Sequence, residues 1–199
     1  MAADSTIQSS DSNDRDVELM GLIGKGDHQA FAQLVERHQH AVIGTVAKML
    51  GNPSEAEDIA QQVFMRIWRH AKRYRPEAKF TTYLFTITRN LVFNESRRRS
   101  RKKEVSSDER EENSHSVIPA NPDRQPDAEL LQDELRRAVD AAIAQLPDAQ
   151  RMAVVLRRYE QMPYEDIAKV LGITVSAVKS LLFRARTTLR DLLKEYLAE

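Results

Sequence analysis

Over residues 174–190, TVSAVKSLLFRARTTLR, the cations Lys179, Arg184, Arg186 and Arg190 follow one another with no acid among them. Guanidinium and ammonium groups spaced this way hold phosphates, and Arg, Lys and Ser also hydrogen-bond base edges. The chemistry on offer is therefore nucleic-acid recognition rather than bond making. A second set begins with Lys72, Arg73, Tyr74, Arg75, Lys79, Phe80, Thr82 and Tyr83 and continues with Arg89, Asn90 and Asn94. Capturing an unstacked base requires an aromatic or apolar face with cations beside it to hold the backbone, and this stretch supplies both. Asn can pair bidentately with a base edge. The run RRRSRKK at 97–103, with Arg97 and Arg98 at its head, carries six cations in seven positions and reads as an electrostatic anchor. Phe80, Leu84 and Phe85 read more simply as core.

Catalytic patterns are absent. His38 and His40 stand two apart on one helical segment and so point to different faces, and His28, His70 and His115 have no neighbouring ligand pattern. There is no HExxH, no Gly-rich phosphate loop and no nucleophile elbow. Paired carboxylates such as Glu111 and Glu112 sit where nothing would desolvate them. The expectation is a non-enzyme with no metal, no cofactor and no small-molecule substrate.

The elements that must position these groups are helical throughout. Asp27 caps a segment with Phe31, Leu34, Val35, Val42, Val46 and Leu50 on its buried side, and Gly51, Asn52 and Pro53 break it. Ser54 then caps a second helix, with Glu57 completing a capping box. Ile59, Val63, Phe64, Ile67 and Trp68 make its apolar face. Thr81 or Thr82 starts a third long helix after Pro76. β-Branched residues fall at helical spacing, so no strand is expected. Near the C-terminus, Ile167, Val170 and Leu171 stripe a short helix, Ala168 permits a close crossing, and Gly172 ends it. Thr174 caps the next helix, whose buried candidates are Val175, Val178, Leu182 and Leu189. This is helix-turn-helix spacing, with residues 174–190 as the helix that enters a major groove.

The 199 residues carry 30 basic and 30 acidic side chains, so any DNA contact must come from local patches. No Cys is present, which excludes disulfides and thiolate metal sites and suits a cytoplasmic protein. No apolar run approaches the ~20 residues that span a bilayer, and the polar N-terminus lacks signal-peptide order. The sequence predicts an all-α protein of two small helical domains: a disordered tail over 1–14, a domain over 15–103, a flexible acidic and Pro-containing linker over 104–127, and a helix-turn-helix domain over 128–199.

With these parts in this order, the chain resembles the extracytoplasmic-function (group IV) sigma factors, bacterial transcription-initiation subunits, everywhere except the tail and the linker. The resemblance implies two partners, core RNA polymerase and promoter DNA. EAEDIAQQVFMRIWR at 55–69 looks like the segment that grips the polymerase, which makes Asp58, Gln61, Gln62, Arg66 and Arg69 the core-binding candidates. Residues 72–99 look like the segment that melts and reads the −10 element, through Arg73, Tyr74, Arg75, Lys79, Thr82, Tyr83, Arg89, Asn90, Asn94, Arg97 and Arg98. The −35 candidates are Arg157, Arg158, Thr174, Ser176, Lys179, Ser180, Arg184 and Arg186. The chain departs from the family's usual residues at Gln62 (an acid), Tyr83 (Trp), Asn94 (Asp), Leu181 (Arg) and Phe183 (His).

The implied function is a sigma subunit that directs polymerase to promoters and assists melting, with restraint by an anti-sigma partner common in the family. Isolated binding to duplex promoter is expected to be weak, because the two readers are only loosely tethered without core. The alternative is an autonomous helix-turn-helix regulator, in which residues 15–103 serve dimerisation or sensing. A third class is a protein-binding helical adaptor.

Overall fold

The computed structural model describes residues 3–105 and 126–197, and every described element is helical. Helix α1 (Ala3–Ile23) leads into α2 (His28–Leu50), α3 (Pro53–His70), a 3-10 turn (Ala71–Arg73) and α4 (Phe80–Val105). After the undescribed stretch come α5 (Pro126–Ala144), α6 (Asp148–Arg158), α7 (Tyr164–Leu171), α8 (Val175–Leu192) and α9 (Lys194–Leu197). The linker expected over 104–127 lies outside the described residues from 106 to 125.

Local rules fix the boundaries. Asp27 accepts hydrogen bonds from the Gln29 and Ala30 amides and so starts α2. Gly51, at φ 68°, ends it in the left-handed region. One residue later the cap of α3 is Asn52, not Ser54. Its side chain accepts from the Ser54 amide and donates to Glu55, and Pro53 holds the first helical position. Proline suits that position because its missing N–H has no intrahelical acceptor there. Helix α4 starts at Phe80, a residue ahead of the Thr81 expected to open it.

The segment expected as a tail over 1–14 is helical from Ala3, and its Ser12 and Asn13, with Asp16 just beyond it, make contacts to the rest of the chain. Asp16, 1% exposed, accepts from Arg37 Nε at 2.8 Å and lies 2.9 Å from His38 Nε2. Arg37 also donates to Ser12, and the Asn13 side chain accepts from the Phe80 amide at 2.9 Å. Thus α1 caps α4 from outside and fixes where the basic-aromatic segment begins. The free N–H groups at a helix start need such an acceptor.

Leu19, Met20, Leu34, Val42, Val46, Val63, Ile67, Phe80, Leu84 and Val92 are buried together between α1, α2, α3 and α4. The five apolar positions expected on α3 are all in this core, with Trp68 at its edge against His28 and Phe31. Met152, Val155, Leu156, Ile167, Val170 and Val178 form the second centre, between α6, α7 and α8.

The two centres are continuous, which departs from the loose tether expected of the free chain. Helix α7 packs on α4, and α5 and α6 pack on α2. Arg151 donates to the Met49 carbonyl at 2.5 Å and to the Leu146 carbonyl at 2.9 Å, capping the end of α2 from α6. Lys48 meets Asp140 at 3.0 Å and lies 4.2 Å from the Tyr159 ring centroid. Ser96 donates to Asp148 at 2.6 Å.

Thr45 donates to Glu160 across the same seam. Burial raises the Glu160 carboxyl above its ordinary 4.5, against the opposing effects of the Thr45 bond and of His38. The folded chain therefore holds that proton more tightly than the unfolded chain. The associated stability is fully present below the ordinary value and is lost as pH climbs through the raised one. Glu160→Gln is expected to raise Tm at about pH 7 and to leave it near the parent value at about pH 4, where Glu160 is protonated in both states. Thermal melts of the two proteins at both pH values check this.

Candidate nucleic-acid interface

Helix α8 is aimed by its turn. The Ile173 amide bonds back to the Ala168 carbonyl at 3.0 Å, and Gly172 sits at φ 69°. This six-to-one closure stops α7 cleanly. Thr174 Oγ1 then accepts from the Ala177 amide at 3.2 Å and opens α8. Val178 and Ala185 face inward, with Val175, Leu182 and Leu189 half-buried beside them. The opposite face is therefore free, and Ser176, Lys179, Ser180, Arg184 and Arg186 are all exposed. Ser176, Lys179, Ser180, Phe183 and Arg184 line one shallow groove.

Phe183 is 69% exposed, the most exposed large apolar side chain among the described residues. It stands where the family's usual residue is His and is not among the expected contacts. Its position four residues after Lys179 and three after Ser180 was the available signal. Leu181, the other departure, is half-buried against the core and leaves no cation on that side. Arg158 is exposed. Arg157 donates to the Met162 carbonyl at 3.0 Å and lies 5.2 Å from the Tyr164 ring centroid, so it also braces the α6–α7 turn.

On α4 and the loop before it the expected set divides. Arg73, Arg75, Asn90, Asn94 and Arg97 are exposed. Arg98 is exposed too and pairs with Glu95 at 2.8 Å, and the Arg98 bond holds the Glu95 carboxyl below its ordinary value. Tyr74 and Tyr83 are half-buried, with ring centroids 5.1 Å apart, and both pack near Phe80. Burial raises both phenols, so they stay neutral and keep their hydroxyl protons. The Tyr74 hydroxyl is buried without a hydrogen-bond partner among the described residues. Phe80, Leu84 and Phe85 are core.

Thr82 is 4% exposed, yet it lies about 200° around α4 from Phe80, on the face it shares with Lys79 three residues before it and Arg89 seven residues after it, and α7 packs on that helix. Lys79 and Arg89 both meet α7. Lys79 lies 3.4 Å from the Asp166 carboxylate, and Arg89 Nε donates to the Val170 carbonyl at 3.1 Å. Both partners belong to α7.

On α3, Asp58, Gln61, Gln62, Arg66 and Arg69 are all exposed and run down the side opposite Ile59, Val63 and Ile67. Met65, 42% exposed, stands in the middle of that stripe. Its spacing from Gln61 and Gln62, four and three residues, would have found it. This face carries charged and amide side chains around one exposed apolar side chain. Among the described residues no group of His, Asp and Glu could hold a metal ion, and no helix is long and apolar enough to cross a membrane.

Residues 34–102 match the family described as Sigma-70 region 2, and residues 136–189 match that described as Sigma-70, region 4. The chain is 32% identical to the RNA polymerase sigma-H factor of Pseudomonas aeruginosa, over 94% of this chain and 97% of that protein. It is 33% identical to the ECF RNA polymerase sigma-E factor of Escherichia coli K12, over 86% and 90% respectively. Among solved structures it resembles CnrH in complex with the cytosolic domain of CnrY, with TM-score 0.67 and 25% identity over 91% of this chain and 98% of that one. It also resembles the sigma factor RpoE in complex with the anti-sigma factor NepR from Bartonella quintana, with TM-score 0.67 and 26% identity over 82% and 96%.

Proposed function

Because the chain belongs to the extracytoplasmic-function sigma factors, the subunits that direct RNA polymerase to promoters in transcription initiation, we propose that its exposed faces divide that work three ways. Helix α3 grips core polymerase through Asp58, Gln61, Gln62, Arg66 and Arg69 around Met65. The Tyr74–Tyr83 pair and the cations beside it capture the melted −10 strand. Helix α8 reads the −35 duplex through Ser176, Lys179, Ser180 and Arg184. The observation that carries this reading is the one-sided exposure of α8, with its cations outward on a capped helix-turn-helix.

The chemical step belongs to the polymerase, and this chain supplies positioning and strand capture without being an enzyme. A base stacked on an aromatic ring gains about 1–3 kcal/mol, enough for one or two captured bases to hold a melted strand. The boundaries of the working units follow the reading over 15–103 and 128–199, with α1 from Ser12 onward joining the first. CnrH and RpoE are each described with a bound regulator. By that likeness this chain takes an anti-sigma partner and acts in the cytoplasm, where its polymerase works.

Run-off transcription with purified core enzyme tests the reading. Transcripts from asymmetric promoters are expected only when the chain is added. Silence on every template of a diverse genomic library, with the chain demonstrably folded, would refute it. Tight binding to a palindromic duplex by the chain alone, as a dimer, would instead favour an autonomous regulator.

A further inference from the structure

Helix α7 packs on α4 and meets Lys79 and Arg89, two of the residues proposed to hold −10 DNA. Its first turn presents Asp166, 7% exposed, whose carboxylate lies 3.4 Å from Lys79 Nζ. Its last turn presents the Val170 carbonyl, which accepts from Arg89 Nε at 3.1 Å. A helix ends in unpaired carbonyls with partial negative charge, so α7 offers a full negative charge at one end and a partial one at the other. These are the kinds of acceptor a nucleic-acid backbone would offer the same two cations.

We propose that the chain by itself holds a closed state, in which α7 occupies the −10 face of α4 as a stand-in for the DNA strand, so that docking of α7 and capture of the −10 strand exclude one another. The proposal rests on the −10 reading given above. Three further contacts hold the closure: Ser96 with Asp148, beside the −10 candidates Asn94 and Arg97, and, away from the reading residues, Lys48 with Asp140 and Arg151 with the Met49 carbonyl. The closure is selective. Among the described residues α3 makes no comparable packing with α5 to α8, and the −35 stripe of α8 remains exposed. A closed chain can therefore still meet core polymerase and −35 duplex, and it lacks only the −10 contact. Affinity for the −10 strand is then reduced by the fraction of chains that are open.

The absence of native Cys permits a clean test. Ser96→Cys and Asp148→Cys are introduced together in the full chain, at a pair whose side-chain oxygens lie 2.6 Å apart. The probes are a single-stranded oligonucleotide carrying the −10 region of a promoter from which the holoenzyme initiates, a scrambled strand, and the −35 duplex of the same promoter. The oxidised, intramolecularly linked chain is expected to bind the −10 strand at least about tenfold more weakly than the reduced chain, and to bind −35 duplex and core within about twofold of it. Reductant should restore −10 binding. Asp140→Lys, which sets like charges against Lys48 at an exposed position, should tighten −10 binding severalfold over the parent.

Equal −10 affinity in linked and reduced chains would overturn the closure and leave the −10 reading standing. Asp140→Lys binding the −10 strand no more tightly than the parent would count against the closed state itself. A reduced chain that does not prefer the −10 strand to the scrambled strand would sink the −10 reading and the closure with it.

Discussion

Replacing Lys179 and Arg184 together by Ala is expected to weaken holoenzyme binding to its promoter at least about thirtyfold, while affinity for core polymerase stays within about twofold. Both side chains are exposed on the outer face of α8 and border one groove with Ser176, Ser180 and Phe183. A bidentate contact to a base edge discriminates by about 1–3 kcal/mol, so loss of two such residues removes about 2 kcal/mol at the lower limit. If either cation holds a phosphate instead, the slope of log affinity against log salt should fall by about one for that cation, with little change in sequence preference. The stripe proposed to bind core lies on α3, in the other helical unit, and shares no residue with the groove. Anisotropy titrations of the variant against promoter duplex in holoenzyme, and against core alone, separate the two functions. Equal loss in both would contradict the division of labour between α3 and α8.

The helix-turn-helix was legible because its signals are local. Gly172, Thr174 and the apolar spacing around them act within one or two turns, and the structure uses each as read. The break between α2 and α3 was legible for the same reason, from Gly51, Asn52 and Pro53, although two neighbouring residues competed for the cap. Asn52 won because Pro53 fits the first helical position and Ser54 then falls inside the helix.

Contacts between distant segments were not legible. Asn13 caps α4 from 67 residues away, and a polar N-terminal stretch carries no periodicity that announces such a partner. Arg89 finds a backbone carbonyl on α7, and every residue type supplies a carbonyl, so no side-chain pattern marks the acceptor. Thr82 is buried for the same kind of reason: it shares the face of α4 that carries Arg89, and the helix that packs there comes from far along the chain. Met65 and Phe183 show the opposite limit. Neither stands among the apolar positions expected in the core nor among the expected contacts, and both are exposed beside the proposed surfaces.

Phe80→Ala is expected to destabilise the chain by about 3–5 kcal/mol, the range for truncating a fully buried aromatic residue. Phe80 is 0% exposed and is the first residue of α4. Its amide donates to Asn13, and its ring centroid lies 5.1 Å from that of His38 and 6.3 Å from those of Tyr74 and Tyr83. The ring therefore packs against both the histidine paired with Asp16 and the aromatic pair proposed to capture a base. Removing it opens a cavity between them that neighbouring side chains fill only in part. Urea unfolding should show a midpoint shift corresponding to that loss, and Phe80→Leu, which keeps most of the volume, should lose markedly less. Tyr83→Ala provides the contrast. Its ring is half-exposed, so stability should fall less, but −10 strand binding should drop by the about 1–3 kcal/mol of one stacked base. If Tyr83→Ala instead unfolded the chain as Phe80→Ala does and left strand binding per folded molecule unchanged, Tyr83 would belong to the core and the capture surface would have to lie elsewhere.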